Sequence, residues 1–253
     1  MTIFHTPSGI RFGLLGRKKS SPAPALVTLG GDLRQMLSHR DYAPPARILS
    51  RHGFLCISLD IPCHGKNIKQ GDSKKLQGSL KAWRERLERG DVLMDDFVAN
   101  VSEVLDHLIA KKYVDPRRIA ACGVSRGGFS ALHLAAADPR IRCVAAFAPL
   151  VDLLSLREFD GMHEHAATCS LALVHLADKL AGRPIWMCVG SNDNRVDTDR
   201  VIVFARRLAE ASLAQGKSPG VEIHVTPQSG HAVHATAHQE AAVWILKKLT
   251  KDI

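Results

Sequence analysis

Short apolar or β-branched runs alternate with longer segments of helical period along nearly the whole chain. That order restricts it to an α/β architecture, a mostly parallel, doubly wound sheet with helices on both faces. Buried strands are expected at 25–29, 54–59, 118–122, 143–147, 185–189 and 221–225. Ahead of them, 2–5 and 10–15 flank Pro7-Ser8-Gly9, a turn signal, and should form a hairpin.

The helical segments are read from their stripes. Phe97, Val101, Val104, Leu105 and Leu108 recur at spacings of three and four, and Asp115-Pro116 is expected to close that helix. Val201, Phe204, Ala205, Leu208 and Ala209 form another stripe, after Asp197, Thr198 and Asp199, which suit a cap and an acidic first turn. A final helix should bury Val243, Leu246 and Leu249. Residues 62–90 and 150–182 fit the alternation poorly. They are expected as short insertions above the sheet, 150–182 as a small cap-like one, and either could shape a pocket entrance.

A length of 253 residues suits one domain, 1–253. No stretch reaches the roughly 18 apolar residues that a membrane span needs, and the N-terminus has no basic segment followed by an apolar run. A cytoplasmic location is therefore expected. The six cysteines are scattered, several within strand-like runs, so neither disulfides nor a zinc site is expected. The net charge of +9 is dispersed along the chain. It reads as a solvated surface and argues against nucleic-acid binding, while attraction of anionic substrates stays open.

The chemistry concentrates at Gly123-Val-Ser-Arg-Gly127-Gly128, between the strand at 118–122 and the helical run at 129–137. In such a strand–turn–helix elbow the serine occupies a strained turn, and glycines two residues to either side remove Cβ atoms that would collide. Ser125 is thereby the candidate nucleophile. The elbow also starts a helix behind the serine, so the backbone N–H of Arg126 can face a developing oxyanion.

A serine hydroxyl needs a histidine base, and the histidine needs a carboxylate to fix its tautomer. Of thirteen histidines, His231 in Ser229-Gly230-His231 follows the 221–225 strand at the carboxyl edge of the sheet, where loops converge on one crevice. His234 and His238 are its rivals. Asp193, in Gly190-Ser-Asn-Asp-Asn-Arg-Val196, follows the preceding strand at the same edge; Asp197 and Asp152 are the alternatives. His163-Glu164-His165 reads as polar surface, and no metal or cofactor is expected.

The chain order Ser125, Asp193, His231, with these three turns and Asp60-Ile-Pro-Cys-His-Gly65, resembles the α/β-hydrolase superfamily. The likeness is to its dienelactone hydrolase and prolyl-oligopeptidase-like group. The resemblance spans nearly the whole chain and implies an α/β-hydrolase fold. It also implies a second oxyanion donor in the loop Leu29-Gly30-Gly31-Asp32: the N–H of Gly31, with Asp32 the neighbouring option. Leu29 stands where a histidine often precedes the glycine in that family.

The expected activity is cleavage of a small-molecule carboxylic ester by acyl transfer. The alternatives are a peptidase, a non-hydrolytic acyltransferase and a binding protein on the same fold. Retention of all three candidate residues in suitable contexts argues against a binding protein. Related peptidases generally carry an N-terminal propeller, whereas about 25 residues precede the first core strand here, so a small esterase is the expectation. His64 reads as a loop histidine or a pocket-facing group. Arg126 could bind a substrate carboxylate or pair with an internal acid. Homo-oligomerisation is not readable.

Overall fold

The computed structural model describes residues 1–250. Its strands are β1 (Thr2–His5), β2 (Arg11–Leu15), β3 (Ala23–Leu29), β4 (Leu55–Ser58), β5 (Val114–Val124), β6 (Ile141–Phe147), β7 (Ile185–Asn192) and β8 (Val221–Ser229). The helices are α1 (Leu33–Ser38), α2 (Pro44–Arg51), α3 (Leu80–Glu88), α4 (Leu93–Ala110), α5 (Arg126–Ala137), α6 (Ala166–Ser170), α7 (Ala177–Leu180), α8 (Thr198–Ala214) and α9 (Ala237–Thr250). The strands form one 8-stranded sheet in the order β1-β2-β4-β3-β5-β6-β7-β8. β1 and β2 make the expected hairpin, β2 runs antiparallel to β4, and all other pairings are parallel.

Two layers of helix cover the sheet. Leu26, Ala120, Cys122, Cys143, Ala145 and Trp186 pack in one cluster with residues of α2 and α9. Their sequence neighbours Val27, Ile119, Ala121, Val144 and Ala146 pack in the other, with α4, α5 and α8. Alternate residues thus serve opposite cores, which is why these strands read as continuous apolar runs. Five of the six cysteines are buried as free thiols.

All five stripe residues of α4 are buried. Its end differs from the expectation: α4 stops at Ala110, the Tyr113 N–H donates to the Leu108 carbonyl at 2.9 Å, and Lys112 adopts φ 56°. A left-handed residue closed by such a bond is a complete helix stop in itself. Asp115 and Pro116 instead lie in the first residues of β5, where proline's demand for an extended predecessor suits a strand.

Two further corrections concern burial. Of the three residues expected on α9, Leu249 is buried, Leu246 half-buried and Val243 exposed; the helix also buries Ala237, Ala241, Ala242, Trp244 and Ile245. β8 is the edge strand, and Val225, expected in the core, is exposed: it pairs with Val189 on the α8 side of the sheet, where Val221 and Ile223 of the same strand are also only half-buried.

The insertions behave differently from one another. Residues 150–182 coil through short 3₁₀ turns, α6 and α7, and send Leu153, Leu173, Ala177 and Leu180 into the same core as the sheet. Residues 62–90 are pinned by a buried ion pair, Arg86 Nε to Asp72 Oδ1 at 3.0 Å, and by Trp83 Nε1 donating to Pro62 O at 2.8 Å. Among the described residues no helix is long and apolar enough to cross a membrane.

Strand order reverses at β3. The chain leaves β3 for β4 on one side, and β5 joins on the other. Such a switch point opens a crevice at the carboxyl ends of the two strands. Here Leu29 pairs with Gly123, so the Gly30-Gly31 loop and Ser125 come off the sheet side by side.

Candidate active site

Ser125 stands between the last residue of β5 and the first of α5, at φ 54° and ψ −118°. A side chain rarely adopts that conformation, and three bonds hold it there. The Ser125 N–H donates to Phe147 O at 2.8 Å, while its carbonyl accepts from Phe129 N at 3.1 Å and Leu150 N at 3.2 Å. The flanking glycines have the steric role expected of them. A Cβ on Gly127 would collide with the carbonyl of Leu29, and one on Gly123 with the backbone of Gly127.

Asp193 and His231 come off the adjacent ends of β7 and β8. The Asn192–Ser229 pairing and the Gly230 N–H donated to Asn192 O at 3.0 Å lock those ends together. Gly190 lets β8 come close, since a Cβ there would meet Gln228 O at 2.7 Å. His231 Nδ1 then donates to Asp193 Oδ2 at 2.8 Å. The second oxygen of Asp193 accepts from Arg195 N at 2.9 Å and Val196 N at 3.2 Å. A fully buried carboxylate with three donors is rigid and holds the imidazole in the tautomer whose Nε2 is the acceptor. Among the described residues no hydrogen bond joins Ser125 Oγ to that nitrogen. Nucleophile–base contacts commonly tighten only in the Michaelis complex.

The rival acids are occupied elsewhere, and the rival histidines line the same cavity but have no carboxylate partner among the described residues. Asp197 caps α8, accepting from Asp199 N at 3.0 Å. Asp152 accepts from Leu154 N at 2.9 Å and pairs with Arg200. His234 Nδ1 lies 2.9 Å from Thr236 Oγ1. His238 packs edge-on against Phe147, and burial pushes its pKa down. His165, of the His163-Glu164-His165 stretch, lies with Nδ1 3.0 Å from Thr168 Oγ1 and caps α6.

Two backbone donors border the serine. Neither Gly31 N–H nor Arg126 N–H makes a hydrogen bond among the described residues. Asp32 uses its side chain to cap α1, accepting from Arg34 N at 2.9 Å and Gln35 N at 3.0 Å. The loop is fixed from below by Asp60, which accepts from Leu33 N at 2.8 Å, Lys66 N at 2.9 Å and Arg11 Nη1 at 2.7 Å. Gly65, at φ 51°, is required there because a Cβ would collide with that carboxylate. The Asp60–Gly65 motif is thus a brace for the crevice.

Ser125, Arg126, Gly31, His64 and His231 line one cavity of about 1340 Å³. His64 faces it, with Nδ1 donating to Pro62 O at 2.9 Å; burial first, and the Arg126 charge after it, push its pKa down. Of the two insertions, 62–90 contributes wall residues and 150–182 contributes none. Sequence reasoning missed the wall made by Arg40, Asp41 and Tyr42, in the loop between α1 and α2. An aromatic in the polar stretch Ser38-His-Arg-Asp-Tyr42 was the available signal.

The chain matches the sequence pattern of the prolyl oligopeptidase family over residues 77–251, which include the elbow and both turns. It is 21% identical over 230 residues to an esterase of Escherichia coli K12, YjfP, covering 84% of this chain and 87% of that one. Among solved structures, a cold-adapted esterase from an Arctic intertidal metagenomic library aligns with a TM-score of 0.69 at 16% identity. That alignment covers 98% of this chain and 93% of the other. Dipeptidyl peptidase 4 of Porphyromonas gingivalis aligns with a TM-score of 0.70 at 16% identity, over 97% of this chain and 35% of that one.

Proposed function

The chain belongs to the prolyl oligopeptidase family of hydrolases, and from that premise we propose that it is a carboxylesterase working by acyl transfer. Ser125 attacks the ester carbonyl while His231 takes its proton. Asp193 orients the imidazole and stabilises the imidazolium. The N–H groups of Gly31 and Arg126 receive the tetrahedral oxyanion. His231 returns the proton to the leaving alcohol, and water repeats the sequence to release the acid.

The observation that carries this reading is the 2.8 Å bond from His231 Nδ1 to Asp193, on the same cavity as the strained Ser125 elbow. Strain held at one serine, beside a histidine oriented by a buried carboxylate, is the arrangement that acyl transfer requires. The esterase name of the Escherichia coli relative supports an ester over a peptide substrate.

The test is to treat wild type and Ser125→Ala with a fluorophosphonate probe, then to assay short-chain 4-nitrophenyl esters alongside dipeptide 4-nitroanilides. Labelling of the wild type alone, with turnover of esters and not anilides, is expected. Equal labelling of both proteins would remove Ser125 as the nucleophile. Turnover of anilides alone would make the protein a peptidase.

A further inference from the structure

Arg126 lines the cavity immediately beside the nucleophile, yet among the described residues no carboxylate lies within ion-pair distance of it. Its one side-chain bond is from Nη1 to Gly78 O at 2.9 Å. Other guanidiniums have acids: Arg11 takes Asp60 at 2.7 Å, Arg86 takes Asp72, and Arg195 grips both oxygens of Glu158 at 2.7 Å. A guanidinium carries five donors, and leaving it in a half-buried position without an anion is costly. Burial, and then the neighbouring Arg195 charge, push its pKa down, the signature of a cation lacking its counter-ion.

The rest of the wall points the same way. Arg34, Lys66 and Lys74 also line the cavity and have no carboxylate within 4.0 Å among the described residues. The carboxylates there are engaged: Asp60 by Arg11 and two N–H groups, Asp32 as the cap of α1, Asp41 beside Arg40 at 3.3 Å. The cavity is therefore a positive funnel with one half-buried, forked donor beside the serine.

We propose that the ester itself supplies the missing anion: the substrate is a monoester of a short dicarboxylic acid, whose free carboxylate pairs with Arg126 while its ester carbonyl meets Ser125. This rests on the esterase reading above. Arg126 is then a specificity-determining residue as well as the source of a backbone oxyanion donor. Both residues line the same cavity, so one short substrate can meet the two at once.

The test compares mono(4-nitrophenyl) adipate with 4-nitrophenyl methyl adipate, which differ only in the masked charge. Wild type should favour the anionic ester in kcat/KM by about ten- to a hundredfold, the usual worth of a charged hydrogen-bonded pair. In Arg126→Gln that ratio should fall to near one, with Arg126→Lys in between, and salt should lower the wild-type ratio. A wild-type ratio near one overturns the proposal, as does a ratio unchanged in Arg126→Gln. So does an equal loss on both esters, which would assign the guanidinium to the oxyanion or to holding Gly78.

A second arm does not depend on turnover. Calorimetry of Ser125→Ala with monomethyl adipate, against dimethyl adipate, should show binding of the acid alone. That binding should be lost in Ser125→Ala/Arg126→Gln. Equal binding of acid and diester, or its survival in the double variant, overturns the anion site. Failure of wild type to turn over either ester would sink the esterase reading alone, and calorimetry would still decide the role of Arg126.

Discussion

His231 Nδ1 donates a 2.8 Å hydrogen bond to Oδ2 of Asp193, whose side chain is 0% exposed while that of the histidine is 30% exposed. The carboxylate is anchored in the protein and the imidazole reaches from it toward solvent. That asymmetry is what a base needs in order to stay oriented yet meet a substrate.

Asp193→Asn keeps the shape of this contact but can present the wrong hydrogen to Nδ1. A fall in kcat of about 10⁴-fold on 4-nitrophenyl butyrate is expected, the usual cost of the wrong imidazole tautomer. The circular dichroism spectrum should stay native. Near-normal turnover would shift the acid role to Asp152 or Asp197.

Ser125→Gly should abolish fluorophosphonate labelling and also raise stability. A non-glycine residue at φ 54° and ψ −118° is strained, and glycine relieves that at some cost in unfolded-state entropy, for a net gain of about 1 kcal/mol. A denaturant midpoint at or below the wild-type value would show that the elbow is not strained.

Gly127→Ala should be among the most damaging single-methyl changes in the chain. The added Cβ meets the backbone carbonyl of Leu29, which cannot swing aside as a side chain can. A loss of about 3 kcal/mol or more is expected from such overpacking, together with lost activity. Gly161→Ala, where a Cβ would meet no atom within 4 Å, is the control for general sensitivity, although its φ of 82° adds some strain of its own.

Acid should unfold the 62–90 insertion through Asp72. Hydrogen bonding to Arg86 first, with further help from backbone and Arg89 donors, holds the Asp72 carboxyl down at about 2, against the ordinary carboxylate value in the unfolded chain. Because the folded pKa is the lower one, the stabilisation is fully present above about pH 4 and drains as pH falls toward 2. It amounts to about 2 to 3 kcal/mol in all. Arg86→Met should weaken that acid dependence, leaving only the Lys69 N–H and Arg89 to hold Asp72, and destabilise the protein at neutral pH by about 3 kcal/mol, since it removes the main partner of a buried charge. Denaturant midpoints of both proteins between pH 2 and 6 test this; parallel curves would exclude the pair as the cause.

Much of the sheet was legible because its signals are local. Val27 and its neighbours read as core since both faces of a central parallel strand are covered, and the five-residue stripe of α4 lies buried as its spacing required. Val225 and Val243 misled, because periodicity reports which residues are apolar and not which faces other layers reach. β8 lies at the sheet edge, with a neighbouring strand on one side only, and Val243 lies on the face of α9 turned from the sheet. Arg126 was undecided in the sequence, since its counter-ion could have come from any acid in the chain. Only the packed cavity shows that none of the described acids is there.

The sequence by itself determined the elbow: Gly123, Ser125 and Gly127 constrain one another over a few residues, so their spacing carries the geometry wherever the segment sits. It also determined the strand–helix alternation. Tertiary structure alone decided that Asp193 and His231, 38 positions apart, share a hydrogen bond, because that depends on β7 and β8 being neighbours in register. It likewise decided that Gly31 stands beside Ser125, through the reversal of strand order at β3. Contacts of that kind are set by which strands pair and where the chain crosses over, and no short window of residues encodes either.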